Sequence, residues 1–294
     1  MIRPPGNPRV PSRRWFDPVL DATMNTGAEA LSAVDRFVSR TEARTVQIAA
    51  DIETPGLDRS FEINCVTAAW SWPDGTGTES VLLDPARDAV AWRACADLFD
   101  HAATVVFHNC AFDLPPLHHA GLMSEAGIRR VVDTVVLARM ALPEPPPYGQ
   151  SKKLEALVTR YLGWTDHAGG MERAFKAAGY RTQQAGYEGM DIDSPIYRFG
   201  AMADTVATLR LEPVMREAAI AWTLDHPFVN TFSAASTRAE AETKVAEQET
   251  VLRVMARRSA VGLNVDREYL TRYAEEVDVA RNLAVAELAV HGLE

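Results

Sequence analysis

Two acidic residues set two positions apart, Asp51 and Glu53, end a short apolar run and are the first residues whose chemistry suggests a site. On a β-strand, residues i and i+2 point to the same face, so both carboxylates would lie side by side at the strand's end. The run supplies no Lys or Arg to pair with them, and two like charges held close together repel. A hard divalent cation would satisfy both charges. Two solvated acids before a Pro55-Gly56 turn are the alternative that these residues alone leave open.

Two later acids favour the metal site. Asp113 follows an apolar strand by about one helical turn and should project toward the sheet edge that carries Asp51 and Glu53. Asp204 lies in the apolar stripe of a long predicted helix, where an unpaired charge is costly unless it binds something. Four carboxylates at one edge suit two Mg²⁺ ions about 3.5–4 Å apart, one activating water and one stabilising the leaving oxygen of a phosphodiester.

Composition and charge limit the remaining possibilities. The chain has 294 residues, of which 47% are apolar and 24% charged, so it can bury an ample core. Its formal net charge of -10 argues against a broad, sequence-independent grip on nucleic acid, although not against an enzyme whose metal ions carry the positive charge. Three cysteines without CxxC pairing predict neither disulfides nor a zinc site and fit a reduced, cytoplasmic setting. No apolar run predicts a membrane span or a signal peptide.

The pattern of apolar and turn residues predicts an α/β fold. Strand-rich runs at 62–72 and 78–84 come first, with Pro73-Asp74-Gly75 between them as a hairpin turn. Strands and helices alternate afterwards, which predicts a mixed sheet flanked by helices. Asp133, at the end of a short strand, is most simply a helix cap, and residues 165–194 are predicted to be loop-like. The predicted helices cover residues 28–39, 86–101, 152–163 and 195–219.

Three segments resemble the motifs of the DEDD superfamily of 3′–5′ exonucleases, in the right order and at plausible spacing. The motifs are Asp51-Ile52-Glu53-Thr54 with Gly56-Leu57, then Asn109 to Phe112-Asp113, then Phe199 to Leu209, with the helix Leu154 to Gly163 between the last two. The resemblance covers roughly residues 45–211 and is strongest to the proofreading domain of family A DNA polymerases, especially the phage type. It implies a ribonuclease H-like mixed β-sheet flanked by helices, followed by a C-terminal helical extension.

The resemblance also implies a role for each motif residue. Two ions, Mg²⁺ or Mn²⁺, would be ligated by four acids: Asp51, Glu53, Asp113 and Asp204. Four further residues would bind the substrate, Thr54 and Asn109 by holding the 3′-terminal nucleotide and Leu57 and Phe112 by packing against the terminal bases. The expected partner is therefore a single-stranded DNA 3′ end, because stacking on side chains is tolerant of sequence.

The third motif departs from the family pattern. The family places a Tyr four residues before the final Asp, or a His five before it, to orient the attacking water. Those positions hold Gly200 and Phe199 here. Tyr197 lies seven residues before the final Asp, on the same helix face, and is the predicted substitute. Tyr180 or Tyr187, folding in from the glycine-rich segment, is the alternative, and the departure predicts reduced rather than absent activity.

A second resemblance lies near the C-terminus. Residues 247–266 resemble the junction where family A polymerases pass from the exonuclease domain to the thumb, with a helix stopped by Gly262 and a new helix capped by Asp266. A plain helical hairpin is the alternative. The sequence thus predicts three parts: an N-terminal arm and helix at 1–40, an exonuclease domain at 41–225, and a thumb-like helical region at 226–294. The chain leaves no room for a palm or fingers, so we expect no polymerase activity, whether it is a fragment or a stand-alone protein.

Three functions follow from the sequence. The leading hypothesis is a two-metal 3′–5′ exonuclease that proofreads DNA ends as part of a phage-type family A polymerase, in the host cytoplasm if phage-encoded. The second is an RNA-processing exonuclease of the same superfamily. The third is a catalytically silent exonuclease-like module that binds DNA or scaffolds a polymerase.

Overall fold

The part of the chain that the structure describes forms a seven-stranded mixed sheet. The structure is a computed structural model and describes residues 10–40, 44–56, 59–143, 150–165, 170–225, 235–262 and 265–291. The strands are β1 (Arg13–Asp17), β2 (Ala22–Thr26), β3 (Ile48–Glu53), β4 (Cys65–Ser71), β5 (Thr78–Leu83), β6 (Val105–Phe107) and β7 (Val131–Asp133). Their order across the sheet is β1-β2-β5-β4-β3-β6-β7.

Strand direction changes twice along the central part of the sheet, on either side of β4. β3, β4 and β5 form an antiparallel meander, with Asp51 opposite Thr67. β6 and β7 are added parallel to β3. The predicted α/β fold with a mixed, ribonuclease H-like sheet is therefore confirmed.

Eleven helices are formed by the described residues. They are α1 (Ala28–Arg40), α2 (Ala89–His101), α3 (Cys110–His119), α4 (Glu125–Ile128), α5 (Thr134–Ala141), α6 (Leu154–Leu162), α7 (Gly170–Ala177), α8 (Gln183–Gly189), α9 (Pro195–Asp225), α10 (Arg238–Val261) and α11 (Arg267–Val290). None of the helices in the described ranges is long and apolar enough to cross a membrane.

The two faces of the sheet carry separate apolar cores. Along β3, Ala49 belongs to the core shared with α5, α6 and α9, whereas Ile48, Ala50 and Ile52 belong to the core shared with α1, α2 and α3. This alternation is the period of two that a strand buried on both faces requires. Because Asp51 has the same parity as Ala49, its side chain is directed to the face covered by α9.

Two regions differ from the sequence prediction. Residues 13–26, placed in an arm before the first helix, form β1 and β2, and β2 pairs in parallel with β5, so this segment extends the sheet. The segment 165–194, predicted to be loop-like, contains α7 and α8. Both helices are short, with 8 and 7 residues, and Gly179 (φ 92°) and Thr182 separate them, the Thr182 side chain capping α8 by accepting the Ala185 N–H at 3.1 Å.

The chain divides into two units, Met1–Ala260 and Val261–Glu294. Gly262 (φ 76°) follows the end of α10, and the Asp266 carboxylate accepts the Tyr269 N–H at 2.9 Å at the start of α11, as predicted. Most of α10 belongs to the first unit. The domain boundary predicted at residue 225 remains a prediction.

Candidate active site

The end of β3 carries the first two carboxylates. Asp51 and Glu53 share one face of the strand, and Glu53 is buried while Asp51 is partly exposed. The Glu53 carbonyl accepts the Asn64 N–H at 2.7 Å, which brings the chain back from the β3 turn into β4. The strand therefore presents both acids to the space between the sheet and α9.

Helix α9 brings the third carboxylate to the same place. Ala201, Ala203 and Ala207 on its inner face are buried, and their small side chains let the helix approach the sheet closely. The Thr67 hydroxyl donates to the Ala201 carbonyl at 3.2 Å and fixes the helix over β4. As a result, ligand oxygens of Asp51, Glu53 and Asp204 all lie within 4.8 Å of one another.

Asp113 joins this group from α3. Its Oδ1 accepts the Ile52 N–H at 3.1 Å, so the carboxylate is tied to the backbone between the two β3 acids. Its carboxyl group is also hydrogen-bonded to Asp51. Two carboxyl groups share such a bond only when one of them carries a proton. The negative charge at this point must therefore be neutralised, either by protons or by a bound cation. The structure thus brings all four predicted acids together.

The pKa values of these acids are raised by burial and by one another's negative charges. Burial, followed by the charge of Asp204, raises the pKa of Asp51 from 3.8 to about 7. Burial and the neighbouring charges of Asp51 and Asp204 raise the pKa of Glu53 well above its ordinary value. Burial and the charge of Asp51 do the same to the pKa of Asp113. Each shift records like charges held together in a desolvated place, as a hard divalent cation would require.

The repulsion between these carboxylates predicts how the stability of the folded protein depends on pH and on metal binding. A carboxyl whose pKa is raised in the folded state favours folding below its unfolded pKa of 3.8, and the benefit is lost as pH rises through about 7. We therefore expect the metal-free protein to lose stability between pH 5 and pH 8. Because cations displace protons from these groups, the rise in melting temperature caused by Mn²⁺ should grow over the same interval. Thermal melts with Mn²⁺ or with chelator test this, and a metal-induced shift that does not change with pH would contradict it.

The acids fit the divalent ions that the sequence analysis predicts. Carboxylate oxygens are the ligands that Mg²⁺ and Mn²⁺ prefer, and the burial of Glu53 together with the charges of Asp51 and Asp204 already disfavours its ionised form. Asp51, Glu53 and Asp204 would hold such an ion, with Asp113 beside Asp51. The cation would supply charge stabilisation and activation of water.

The four predicted substrate-binding residues have different environments. Thr54 is buried and its hydroxyl donates to the Gly56 carbonyl at 3.4 Å, whereas Leu57 lies outside the described residues. Phe112 is partly buried against the core under α3. Asn109 is exposed and occupies the cap position of α3, but its side chain makes no capping hydrogen bond, so the amide is directed to solvent.

Asp133 positions the second motif as well as capping α5. Its carboxylate accepts the Val135 N–H at 2.7 Å, which confirms the predicted cap. It also accepts the N–H groups of Asn109 and Cys110, at 3.0 and 2.8 Å. Sequence reasoning missed this second role because the two segments are distant in the chain and are brought together by the parallel pairing of β6 and β7.

The third motif has no polar side chain at its expected water-orienting positions. Phe199 is 41% exposed and Gly200 has no side chain. Tyr197, the predicted substitute, is fully buried, and its ring packs at 6.1 Å from that of Tyr187. Tyr187 is partly exposed; burial of its phenol raises the pKa most, and the charges of Glu53, Asp204 and Asp51 raise it further. Glu53 also raises the pKa of Tyr197, after burial and the charge of Cys65, but Tyr187 is the tyrosine on which the charges of all three acids act.

Carboxylates gathered at one edge of a mixed sheet are typical of metal-dependent phosphodiester hydrolases. Comparison with known proteins makes this class more specific. The 3′-5′ exonuclease family model matches residues 26–217, more than half of the chain, so the chain belongs to this 3′–5′ exonuclease family of the DEDD superfamily.

Solved structures show the same fold. RNase D of Trypanosoma brucei in complex with GMP has a TM-score of 0.55 and 16% identity, over 84% of this chain and 67% of that one. RNase D of the same organism in a second structure has a TM-score of 0.53 and 15% identity, over 84% and 76%. No curated protein matches this chain significantly in sequence.

Proposed function

We propose that this protein is a two-metal-ion 3′–5′ exonuclease that removes nucleotides from DNA 3′ ends, as the proofreading part of a family A, phage-type DNA polymerase. The observation that carries the proposal is the convergence of Asp51, Glu53 and Asp204 within 4.8 Å, with Asp113 hydrogen-bonded to Asp51. Family membership over residues 26–217 supports the 3′–5′ direction of hydrolysis.

Each motif residue has a role in this reaction. The four acids hold Mg²⁺ or Mn²⁺, which would activate water and stabilise the leaving oxygen. Asn109 and Thr54 hold the 3′-terminal nucleotide, and Phe112 with Leu57 packs against the terminal bases. Water oxygen then bonds to the last phosphorus as the bond from phosphorus to the preceding 3′ oxygen breaks. The products are a nucleoside 5′-monophosphate and a strand one nucleotide shorter, with a free 3′-hydroxyl.

An RNA substrate is the second candidate. The fold neighbours carry the name RNase D, and one of them is in complex with GMP, so the fold is compatible with RNA hydrolysis. The DNA proposal is supported instead by the motif resemblance and by the helices that follow α9, which resemble the entry to a polymerase thumb. The rest of such a polymerase is the proposed partner of this chain.

Matched substrates separate these candidates. Single-stranded DNA and RNA of one sequence, labelled at the 5′ end, would be incubated with the protein and Mg²⁺ or Mn²⁺. We expect a ladder that shortens from the 3′ end, faster on DNA, with mononucleotides as products and full inhibition by chelator. Faster shortening of RNA would overturn the DNA assignment in favour of RNA processing.

The hypothesis of a catalytically silent module predicts a different result in the same assay. If the protein releases no mononucleotide, and Asp51→Ala behaves like the wild type, the enzyme hypothesis is rejected. Fluorescence anisotropy with the same oligonucleotides then measures whether the chain still binds DNA. Tight binding without hydrolysis would establish the silent DNA-binding module.

A further inference from the structure

Helices α7 and α8 form a small aromatic unit beside the carboxylates. Phe175 of α7 is buried, and its ring lies edge-on to Tyr187 of α8 at 4.8 Å and tilted to Tyr197 of α9 at 6.4 Å. Gly186 makes this packing possible, since a Cβ at that position would lie 2.2 Å from Phe175 Cγ. Gly186 and Tyr187 of α8 are thus packed against Phe175 of α7 and Tyr197 of α9.

Asn64 connects this unit to the acid-bearing strand. Its side-chain amide donates to the Tyr187 carbonyl at 3.4 Å, and its backbone N–H donates to the Glu53 carbonyl at 2.7 Å. One residue therefore fixes both the backbone of Tyr187 and the end of β3. This bridge sets the position of Tyr187 relative to Glu53.

The phenol of Tyr187 is a neutral hydroxyl on which the charges of the carboxylates act. Burial raises its pKa most, the charges of Glu53 and Asp204 raise it further, and a hydrogen bond with the Gln183 side chain lowers it slightly. A phenol in this environment keeps its proton at any working pH. It can donate to, or accept from, a water molecule but cannot act as a base.

We propose that Tyr187, from α8, positions the attacking water at the carboxylate cluster, in place of the polar residue that the third motif lacks. Tyr197 is fully buried behind the Tyr187 ring, and Phe199 offers no polar group. Holding a nucleophile in line with the reacting phosphorus is a large part of what a hydrolytic site must do. This inference rests on the proposed exonuclease function.

The first test is the substitution Tyr187→Phe, which keeps the ring and removes only the hydroxyl. We expect kcat to fall about 10- to 100-fold while KM stays within about 2-fold, because the hydroxyl acts on the water rather than on strand binding. The Mn²⁺-induced rise in melting temperature should be unchanged. The matched control is Tyr180→Phe in the same segment, whose ring packs 6.2 Å from Phe175, and its kcat should equal that of the wild type.

The second test does not depend on turnover. The protein is labelled with 3-fluorotyrosine, and the ¹⁹F signal of Tyr187 is identified as the one missing from Tyr187→Phe. Mn²⁺ should broaden this signal more than that of Tyr180, and Asp51→Asn should abolish the effect. Equal broadening of both signals would place the phenol away from the cluster and overturn the proposal.

The other possible results of these assays distinguish a failure of the proposed role of Tyr187 from a failure of the proposed exonuclease function. An active wild type with Tyr187→Phe within about 2-fold of its kcat overturns the role of Tyr187 and leaves the exonuclease intact. Loss of kcat together with loss of the Mn²⁺ melting shift shows a purely structural role, which also overturns it. A wild type that releases no nucleotide rejects the exonuclease proposal and the water-positioning role with it.

Discussion

Asp51→Asn is expected to lower the rate of mononucleotide release by about 10³-fold or more, because charge stabilisation by a bound cation supplies several kcal/mol. Asn keeps the shape of the side chain and removes the charge. Asp51 lies at the centre of the site, since its carboxyl bonds to Asp113 and its oxygens lie within 4.8 Å of those of Glu53 and Asp204. Single-turnover assays at saturating Mg²⁺ measure the chemical step directly.

The melting temperature of Asp51→Asn provides a second test that does not depend on activity. Without metal at pH 8, Asp51→Asn should melt at a higher temperature than the wild type, because it removes one of the repelling charges. The control is Asp88→Asn, which replaces the carboxylate that caps α2 by accepting the Val90 N–H at 2.8 Å. Asn is an equally good cap, so this control should change neither activity nor stability. Activity of Asp51→Asn within tenfold of the wild type would reject the metal-site assignment.

Arg216→Ala is expected to destabilise the first unit by about 3 kcal/mol, since it removes the charged partner of the buried Glu212 and leaves Glu249 only the longer contact with Arg253. The Arg216 guanidinium bridges α9 and α10 by donating to Glu212 at 2.6 Å and to Glu249 at 2.5 Å. Both acids are buried, and Arg253 adds a longer contact of 3.5 Å to Glu249. Urea unfolding followed by circular dichroism measures the loss in free energy of unfolding.

A second arginine between the same helices is the matched control. Arg238 of α10 donates to Glu217 of α9 at 2.6 Å, but both side chains are more than half exposed. Exposed ion pairs contribute about 0–1 kcal/mol, so Arg238→Ala should unfold close to the wild type. Equal losses for the two variants would show that burial does not govern the α9–α10 contact.

The carboxylate site could be predicted from the sequence because its residues follow local rules. Asp51 and Glu53 share a face through strand periodicity, and Asp204 stands out as a charge in an apolar helical stripe. The hairpin between β4 and β5 was signalled by Pro73, Asp74 and Gly75 in the same local way. Such features are encoded within a few residues, so an unaligned sequence reveals them.

The missed features depend on contacts between distant segments. β1 and β2 contain exposed and polar residues, and their place in the sheet depends on the pairing of β2 with β5 more than 50 residues away. The position of Tyr187 likewise depends on Phe175 and Asn64, which no local pattern connects to it. The bond from Asp133 to Asn109 spans 24 residues. Tertiary contacts of this kind decide which tyrosine lies near the acids.

The backbone conformation of Asn109 lowers the stability of the folded protein but places a polar side chain at the site. Asn109 has a left-handed conformation (φ 74°), which costs a non-glycine residue about 1 kcal/mol and which glycine adopts freely. The N–H groups of Asn109 and Cys110, which Asp133 accepts, secure that conformation, while Asn109 remains exposed at the site. A protein selected for heat resistance alone would gain by placing glycine there, and it would lose the side chain proposed to grip the 3′-terminal nucleotide.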